Sequence, residues 1–185
     1  MNILETSLKD AYIIEPKVFD DERGFFYEGY SEKGLCDKMG IKFEVVQINF
    51  SKSSYGVLRG LHFQSEPMAQ AKLVSVNYGE VWDVAVDLRE NSPTYGMWYG
   101  VILSAQNKRR FFVPRGFAHG FIALSDSVDL MYAVDNFYSQ KHDNGIRFDD
   151  PELNIDWKIN VNQIVLSEKD KNLPFLRQKL AEYSK

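Results

Sequence analysis

The sequence predicts a mainly β fold, a small barrel or jelly roll of antiparallel strands. Short apolar runs punctuated by Gly, Pro, Asn, Asp and Ser recur along the chain, as a sandwich or barrel requires. One run alternates with a period of two residues, and helical patterns are few. The 185 residues are enough for one domain with a sizeable core, and no linker or internal repeat divides them. We therefore expect a single domain over residues 1–185.

Eight apolar runs carry the predicted strands. In chain order they are residues 11–19, 43–50, 56–63, 72–88, 98–104, 109–114, 120–124 and 128–134. The alternation is clearest in VWDVAVDL, residues 81–88. There, Trp82, Val84, Val86 and Leu88 share one face, opposite Asp83, Ala85 and Asp87.

A few short peripheral helices complete the predicted fold. Ser31 is a suitable N-cap for a helix that runs through Met39. Pro174 is suited to open a last helix in PFLRQKLAEY, residues 174–183.

The composition excludes several classes of protein. The net charge is −4, and no cluster of lysine and arginine indicates a nucleic-acid surface. The N-terminal segment is charged where a signal peptide needs an apolar run, and no stretch is long enough to span a membrane. The single Cys36 fits a reducing compartment. We expect a cytoplasmic protein without a nucleic-acid or membrane partner.

The segment VLRGLHFQ, residues 57–64, places two polar groups in an apolar strand. Either His62 is a core histidine with Arg59 at the rim, or both side chains face a pocket. The two residues have opposite parity in an ideal strand. Both can face one side only if Gly60 allows a bulge or a twist.

The segment VPRGFAHGF, residues 113–121, contains a P-x-G-x-x-H pattern that ends at His119. This pattern resembles the second motif of the cupin superfamily, whose members are small jelly-roll barrels with a pocket in the barrel mouth. The first cupin motif supplies two histidines and a glutamate as metal ligands. Here His62 is followed by Gln64, and the run continues to Lys72. Because a lysine ammonium repels a cation, we expect a cupin-type barrel without a metal.

An arginine, two histidines, a lysine and a tyrosine in one barrel need an anionic ligand, because unpaired buried cations are costly. The set matches proton abstraction next to a carbonyl group. Histidine supplies a base near neutral pH, Lys72 can hold an enolate oxygen, and Tyr132 can donate a proton from the opposite face. Taken singly, Lys72 could also be a solvated strand end, and Tyr132 a core tyrosine bonded to the backbone.

From IIEPKVFDDERGFFYE to LSEKD, the chain resembles the dTDP-4-dehydrorhamnose 3,5-epimerase family of cupin-type enzymes. The most specific segments are GVLRGLHFQ, KLVSVNYGEVWDVAVDLRENSPTYG, VPRGFAHGF and GIRFDDPELNIDW. The resemblance implies epimerisation at C3 and C5 of dTDP-4-dehydro-6-deoxy-D-glucose, without a cofactor.

The resemblance also implies catalytic roles. His62 is the base, Asp170 orients it, Tyr132 is the acid, and Lys72 steadies the enolate. Asp170 has a local alternative, because Ser167 to Asp170 also reads as a capping box.

A second set of residues is expected to bind the substrate. Arg59 and Arg23 hold the diphosphate, and Tyr138 stacks on the thymine, with Phe26 as a second candidate. The full set is Arg23, Phe26, Glu28, Gln47, Asn49, Arg59, His119, Tyr138, Asp143 and Lys169. In this family the RGFF segment reaches the neighbouring subunit's pocket, so the resemblance implies a homodimer.

The chain departs from the family pattern at three positions. Ile48 stands where the family usually has an acidic residue, Phe50 where it has a polar one, and Arg115 where it has a glutamate. Alternatives to the 3,5-epimerase are therefore a C3-only epimerase of a related nucleotide-linked sugar, a cupin 3,4-ketoisomerase and a non-catalytic sugar-nucleotide binding cupin.

Overall fold

A computed structural model of the chain describes residues 1–177. Strands dominate this part of the chain, which confirms the predicted mainly β class. The strands are β1 (Asn2–Glu5), β2 (Tyr12–Glu15), β3 (Val18–Asp21), β4 (Gly24–Tyr27), β5 (Gln47–Ser53), β6 (Leu58–Gln64), β7 (Lys72–Tyr78), β8 (Glu80–Asp87), β9 (Trp98–Ser104), β10 (Arg110–Val113), β11 (Phe117–Ala123), β12 (Val128–Val134) and β13 (Asp143–Gly145). The helices are α1 (Glu32–Met39) and α2 (Glu168–Lys171), with 3-10 turns at Gln140–His142 and Val161–Gln163.

The strands form two antiparallel sheets and one hairpin. The six-stranded sheet has the order β1-β2-β10-β7-β12-β5, and the five-stranded sheet has the order β13-β6-β11-β8-β9. Strands β3 and β4 form a separate two-stranded hairpin. The crossovers between non-consecutive strands are those of a jelly-roll barrel.

An apolar core fills the barrel because alternate residues of both sheets point inward. The six-stranded sheet contributes residues such as Val74, Phe111 and Leu130, and the five-stranded sheet contributes Leu103 and Phe121. This core lies beside the inner residues that carry charge, so the same barrel supplies both the packing and the site.

Each sheet also has an apolar core on its outer face. The chain from Ile146 to Leu176, which includes Trp157, covers the five-stranded sheet. Helix α1 and Phe43 cover part of the six-stranded sheet. Both sheets are therefore buried on two sides where these segments lie.

The predicted helix after Ser31 is confirmed. The Ser31 hydroxyl accepts a hydrogen bond from the Gly34 amide, and α1 ends at Met39, followed by Gly40 in the left-handed conformation (φ 67°). The helix predicted over residues 174–183 lies mostly outside the described residues. Within them, Leu176 and Arg177 are helical.

The structure differs from the strand predictions in several segments. Residues 43–46 are not a strand, because Phe43 packs under α1 instead. Three strands lie outside the predicted runs: β1, β4 and β13, which pair with β2, β3 and β6. Such pairing depends on a partner strand and on a turn, which a scan for apolar runs does not detect.

A bulge in β6 places Arg59 and His62 on the same side. On β11, His119 pairs with His62 and Phe121 pairs with Arg59, so three steps along β6 oppose two steps along β11. Gly60 has a φ of 132°, which favours glycine. The expectation that the strand bulges at Gly60 is confirmed.

Gly60 also lies unusually close to the neighbouring strand. A Cβ atom there would stand 2.5 Å from the Cα atom of Gly120 and 2.9 Å from the carbonyl oxygen of His119. Both contacts are with backbone, which cannot rotate away. Only glycine fits this position without moving β11.

We therefore predict that Gly60→Ala destabilises the protein more than a matched variant does. Gly24 has a similar φ of 125° but nothing within 4 Å of the position of a Cβ atom. Both variants suffer the conformational strain, and Gly60→Ala should lose roughly 1–3 kcal/mol more because the backbone must separate. Urea denaturation measures the difference. Equal losses would show that the contact with Gly120 does not limit this site.

Candidate active site

A cavity of about 660 Å³ lies between the two sheets. Its volume is typical of a site for a small molecule. Ten of the fourteen predicted site residues line it, and these are Asn49, Arg59, His62, Lys72, His119, Tyr132, Tyr138, Asp143, Lys169 and Asp170. The fold therefore gathers residues that are up to 121 positions apart into one pocket, from Asn49 to Asp170.

His62 is bonded to Asp170, although 108 residues separate them. The distance from His62 Nε2 to Asp170 Oδ1 is 2.5 Å, and the carboxylate is buried. An ionised carboxylate only accepts hydrogen bonds, so Nε2 carries the proton and Nδ1 is free to act as a base. Because the ring is partly exposed to the cavity, His62 is a pocket residue rather than a core histidine.

Asp170 is held in place by the helix that contains it. Its backbone amide donates to the Ser167 hydroxyl at 3.1 Å, so the predicted cap is also present. Burial raises the pKa of Asp170, but the hydrogen bonds from His62 and Ser167 outweigh burial and leave the pKa below its usual value. The carboxylate is therefore ionised at neutral pH.

Lys72 is buried at the start of β7 rather than solvated. Burial lowers its pKa from 10.5 to about 8, although Asp83 and Asp143 act in the opposite direction. Its Nζ donates to the carbonyl oxygen of His62 at 3.3 Å. Lys72 therefore places an ammonium group beside the base.

His119 is bonded to a residue that the sequence analysis did not assign to the site. Its Nε2 lies 2.9 Å from Oδ1 and 3.0 Å from Oδ2 of Asp83, which has no exposed surface. The strand VWDVAVDL buries both faces: Trp82 and Val84 pack outward, and Asp83 points into the barrel. The sequence signal that could have identified Asp83 was the polar face of this strand, on which Asp83 and Asp87 alternate with Ala85.

Tyr132 is on the wall opposite His62, because β12 belongs to the six-stranded sheet and β6 to the five-stranded sheet. Within residues 1–177 its hydroxyl makes no hydrogen bond, which disagrees with a core tyrosine bonded to backbone. Burial raises the pKa of the phenol, and Asp143 raises it further. The phenol is therefore protonated at neutral pH and can donate.

Arg59 lies at the edge of the cavity. Its Nε donates to the Ser53 hydroxyl at 3.1 Å, and its second terminal nitrogen donates to the carbonyl oxygen of Lys52 at 3.0 Å. These bonds hold the guanidinium towards β5. The remaining donors of the guanidinium are available to an anion.

Three further predicted residues meet at the rim. Lys169 Nζ lies 2.5 Å from Asp143 Oδ2, and the Tyr138 hydroxyl donates to the same oxygen at 3.1 Å. Gln47 does not line the cavity, but it donates to Asn49 at 2.7 Å and accepts from the Tyr138 amide at 3.3 Å. Gln47 thus supports the rim from behind.

The structure does not bring Arg23, Phe26 or Glu28 to the cavity of their own chain. Arg23 and Phe26 belong to the β3–β4 hairpin and its turn. The Arg23 side chain is 85% exposed and pairs with Asp21, and Phe26 is 69% exposed. The expected contact of these residues with the substrate is therefore not made within this chain.

The three residues that depart from the family pattern lie at the surface or at the border of the cavity. Ile48 and Phe50 alternate with Gln47 and Asn49 along β5 and are exposed, although Phe50 borders the cavity. Arg115 pairs with Asp135 at 2.9 Å, so the reversed charge is neutralised.

Residues 1–177 contain neither a cluster of metal-ligating side chains nor a helix that could span a membrane. No group of three or more histidine, cysteine, aspartate or glutamate side chains is placed to hold a metal ion. No helix in this range has the length and apolarity needed to cross a membrane.

Comparison with known proteins agrees with the resemblance in the sequence. A profile of the family described as dTDP-4-dehydrorhamnose 3,5-epimerase matches residues 5–178. The dTDP-4-dehydrorhamnose 3,5-epimerase of Shigella flexneri is 53% identical over 172 residues, which are 93% of this chain and 94% of the relative.

Solved structures agree as well. The dTDP-4-dehydrorhamnose 3,5-epimerase from Elizabethkingia anophelis superposes with a TM-score of 0.94 at 56% identity, covering 97% of this chain and 98% of the other. An epimerase from Legionella pneumophila in complex with dTDP-4-keto-L-rhamnose gives a TM-score of 0.93 at 50% identity, covering 98% of this chain and 95% of the other. These matches confirm the cupin-type jelly roll. The chain therefore belongs to the dTDP-4-dehydrorhamnose 3,5-epimerase family.

Proposed function

We propose that this protein epimerises C3 and C5 of dTDP-4-dehydro-6-deoxy-D-glucose, giving dTDP-4-dehydro-L-rhamnose. One observation carries the proposal: a histidine–carboxylate pair and a protonated tyrosine are on opposite walls of one cavity, beside a buried lysine. An inversion by proton transfer needs this arrangement, because the proton leaves from one face and returns to the other.

The 4-keto group acidifies the hydrogens on both neighbouring carbons. In the proposed reaction, His62 Nδ1 removes the proton, and the Lys72 ammonium stabilises the enolate oxygen that develops at C4. Tyr132 returns a proton to the opposite face of the carbon. His62 then releases its proton, Tyr132 regains one from solvent, and the cycle serves the second carbon. No redox cofactor is required, because protons alone are exchanged.

The remaining residues of the set are proposed to bind the nucleotide. Arg59 holds the diphosphate, a dianion suited to a guanidinium fork. Tyr138 stacks on the thymine, and His119 contacts the sugar. The rim of the nucleotide site is proposed to consist of two bonded pairs, Gln47 with Asn49 and Lys169 with Asp143.

A homodimer is part of the proposal. The β3–β4 hairpin exposes Phe19, Phe25 and Phe26, an apolar group that is costly to leave in water. The ammonium group of Lys108, in the segment that precedes β10, lies 4.3 Å from the centre of the Phe25 ring, and the hairpin does not line the cavity of its own chain. Arg23, Phe26 and Glu28 would then complete the cavity of the partner subunit.

Incubation with dTDP-4-dehydro-6-deoxyglucose in D2O tests the reaction. A ketoreductase traps the product, and mass spectrometry locates the label. We expect deuterium at both C3 and C5. Label at C3 alone would identify a C3-only epimerase, and absence of label would favour a binding protein or another sugar nucleotide.

We predict that His62→Ala lowers the rate of exchange at both carbons by a factor of roughly 10²–10⁴ or more, because the general base is lost. Affinity for dTDP, measured by calorimetry, should change little, since the diphosphate binds Arg59. His142→Ala is the matched control, because His142 bonds Ser139 outside the cavity. A His62→Ala protein with normal exchange contradicts the assignment of the base.

Subunit mixing tests the shared site. Arg23→Ala and His62→Ala proteins should each be weakly active, and an equilibrated equimolar mixture should recover about a quarter of the wild-type rate. Half of the dimers are then hybrids, and each hybrid has one intact site of two. If Arg23 acted in its own chain, no hybrid would contain an intact site and mixing would restore nothing.

A further inference from the structure

Asp83 is a buried carboxylate to which the proposed reaction assigns no role. It lies in the middle of β8, has no exposed surface, and does not line the cavity. Within residues 1–177, its side-chain hydrogen bonds go to His119 Nε2. Because a buried charge without compensation is costly, this carboxylate needs a positive or strongly donating neighbour.

The sheet geometry directs His119 towards Asp83. On β11, His119 is opposite Ala85 of β8 on one side and His62 of β6 on the other. Asp83 is two residues along the same inner face, a diagonal position that a histidine ring can reach.

This contact orients the His119 ring. The carboxylate accepts from Nε2–H, so Nδ1 is the nitrogen that remains for a ligand in the cavity. Burial lowers the pKa of His119, Asp83 raises it, and Lys72 and His62 lower it. These three groups are the charged or titratable ones that act on His119 from β8, β7 and β6.

Asp83 also acts on Lys72. The two carboxylates that favour the charged lysine are Asp83 and Asp143. Asp143 is already paired with Lys169. Within residues 1–177, Asp83 makes no salt bridge to a lysine or an arginine, so it acts on Lys72 through space while its hydrogen bonds go to His119.

We propose that Asp83 is a positioning residue for the epimerisation: its buried carboxylate holds the ring of His119 and acts on Lys72, and both of these residues line the cavity. The proposal rests on the function proposed above. Asp83 touches neither the cavity nor the substrate, so it acts only through these two neighbours.

The test is the pH dependence of kcat/KM for the wild type and for Asp83→Asn, which keeps the shape and an acceptor oxygen but removes the charge. Lys72 must be protonated to hold the enolate, so activity falls as pH rises through the pKa of Lys72. Removing Asp83 lowers that pKa, and we expect the alkaline limb of the profile to move down by roughly one pH unit. KM should stay within about threefold of the wild type, because the cavity lining is unchanged.

Asp87→Asn is the matched control. Asp87 is on the same strand and the same inner face, has no exposed surface, and bonds Arg89, Ser92 and Thr94 instead of the site residues. This variant should lower Tm while leaving the pH profile unchanged. A loss that is merely structural would therefore look the same in both variants.

If a folded Asp83→Asn protein keeps the wild-type alkaline limb, the proposal is wrong. If this variant does not fold, His119→Gln decides, since it keeps the carboxylate and removes the ring. In His119→Gln, the alkaline limb of the kcat/KM profile should stay at the wild-type pH or move to higher pH. A shift of this limb to lower pH would overturn the proposal. Wild-type exchange at C3 and C5 is measured alongside, so that a failed epimerase function is distinguished from a failed role of Asp83.

Discussion

The close approach of β6 and β11 at Gly60 and Gly120 is the constraint on which the site depends. An unbroken β6 would turn Arg59 and His62 to opposite faces of the sheet. The bulge turns both towards the cavity, which allows one strand to supply an anion-binding group and a base. The same pairing places His62 opposite His119 on β11, and His119 in turn bonds Asp83.

The barrel holds charged and polar side chains in a largely apolar interior. Its interior is apolar, yet it holds two histidines, a lysine and an arginine near its edge. Three of these groups have defined hydrogen-bond partners: Asp170 for His62, Asp83 for His119, and the carbonyl oxygen of Lys52 for Arg59. Within residues 1–177, Lys72 is buried and makes no salt bridge with a carboxylate, so a bound anion would compensate its charge.

Those features of the fold and the site that depend on one segment of the chain could be predicted from the sequence. The glycine in VLRGLHFQ and the cap at Ser31 are properties of single segments, and the structure confirms both of them. Asp83 was missed because alternation separates two faces without showing which one is inside. The hairpin residues Arg23 and Phe26 raise a different difficulty, because their contacts depend on a second chain.

The proposed base, His62, and the proposed acid, Tyr132, belong to different sheets, and each sheet is backed by its own outer core. The chain from Ile146 to Leu176 supports the wall that carries His62, whereas α1 and Phe43 support the sheet that carries Tyr132. Substitutions behind one wall can therefore shift one proton-transfer group by fractions of an ångström while the other keeps its place. Such independent adjustment gives natural selection a route to new stereochemical outcomes, in which one carbon is inverted and the other spared, without rebuilding the fold.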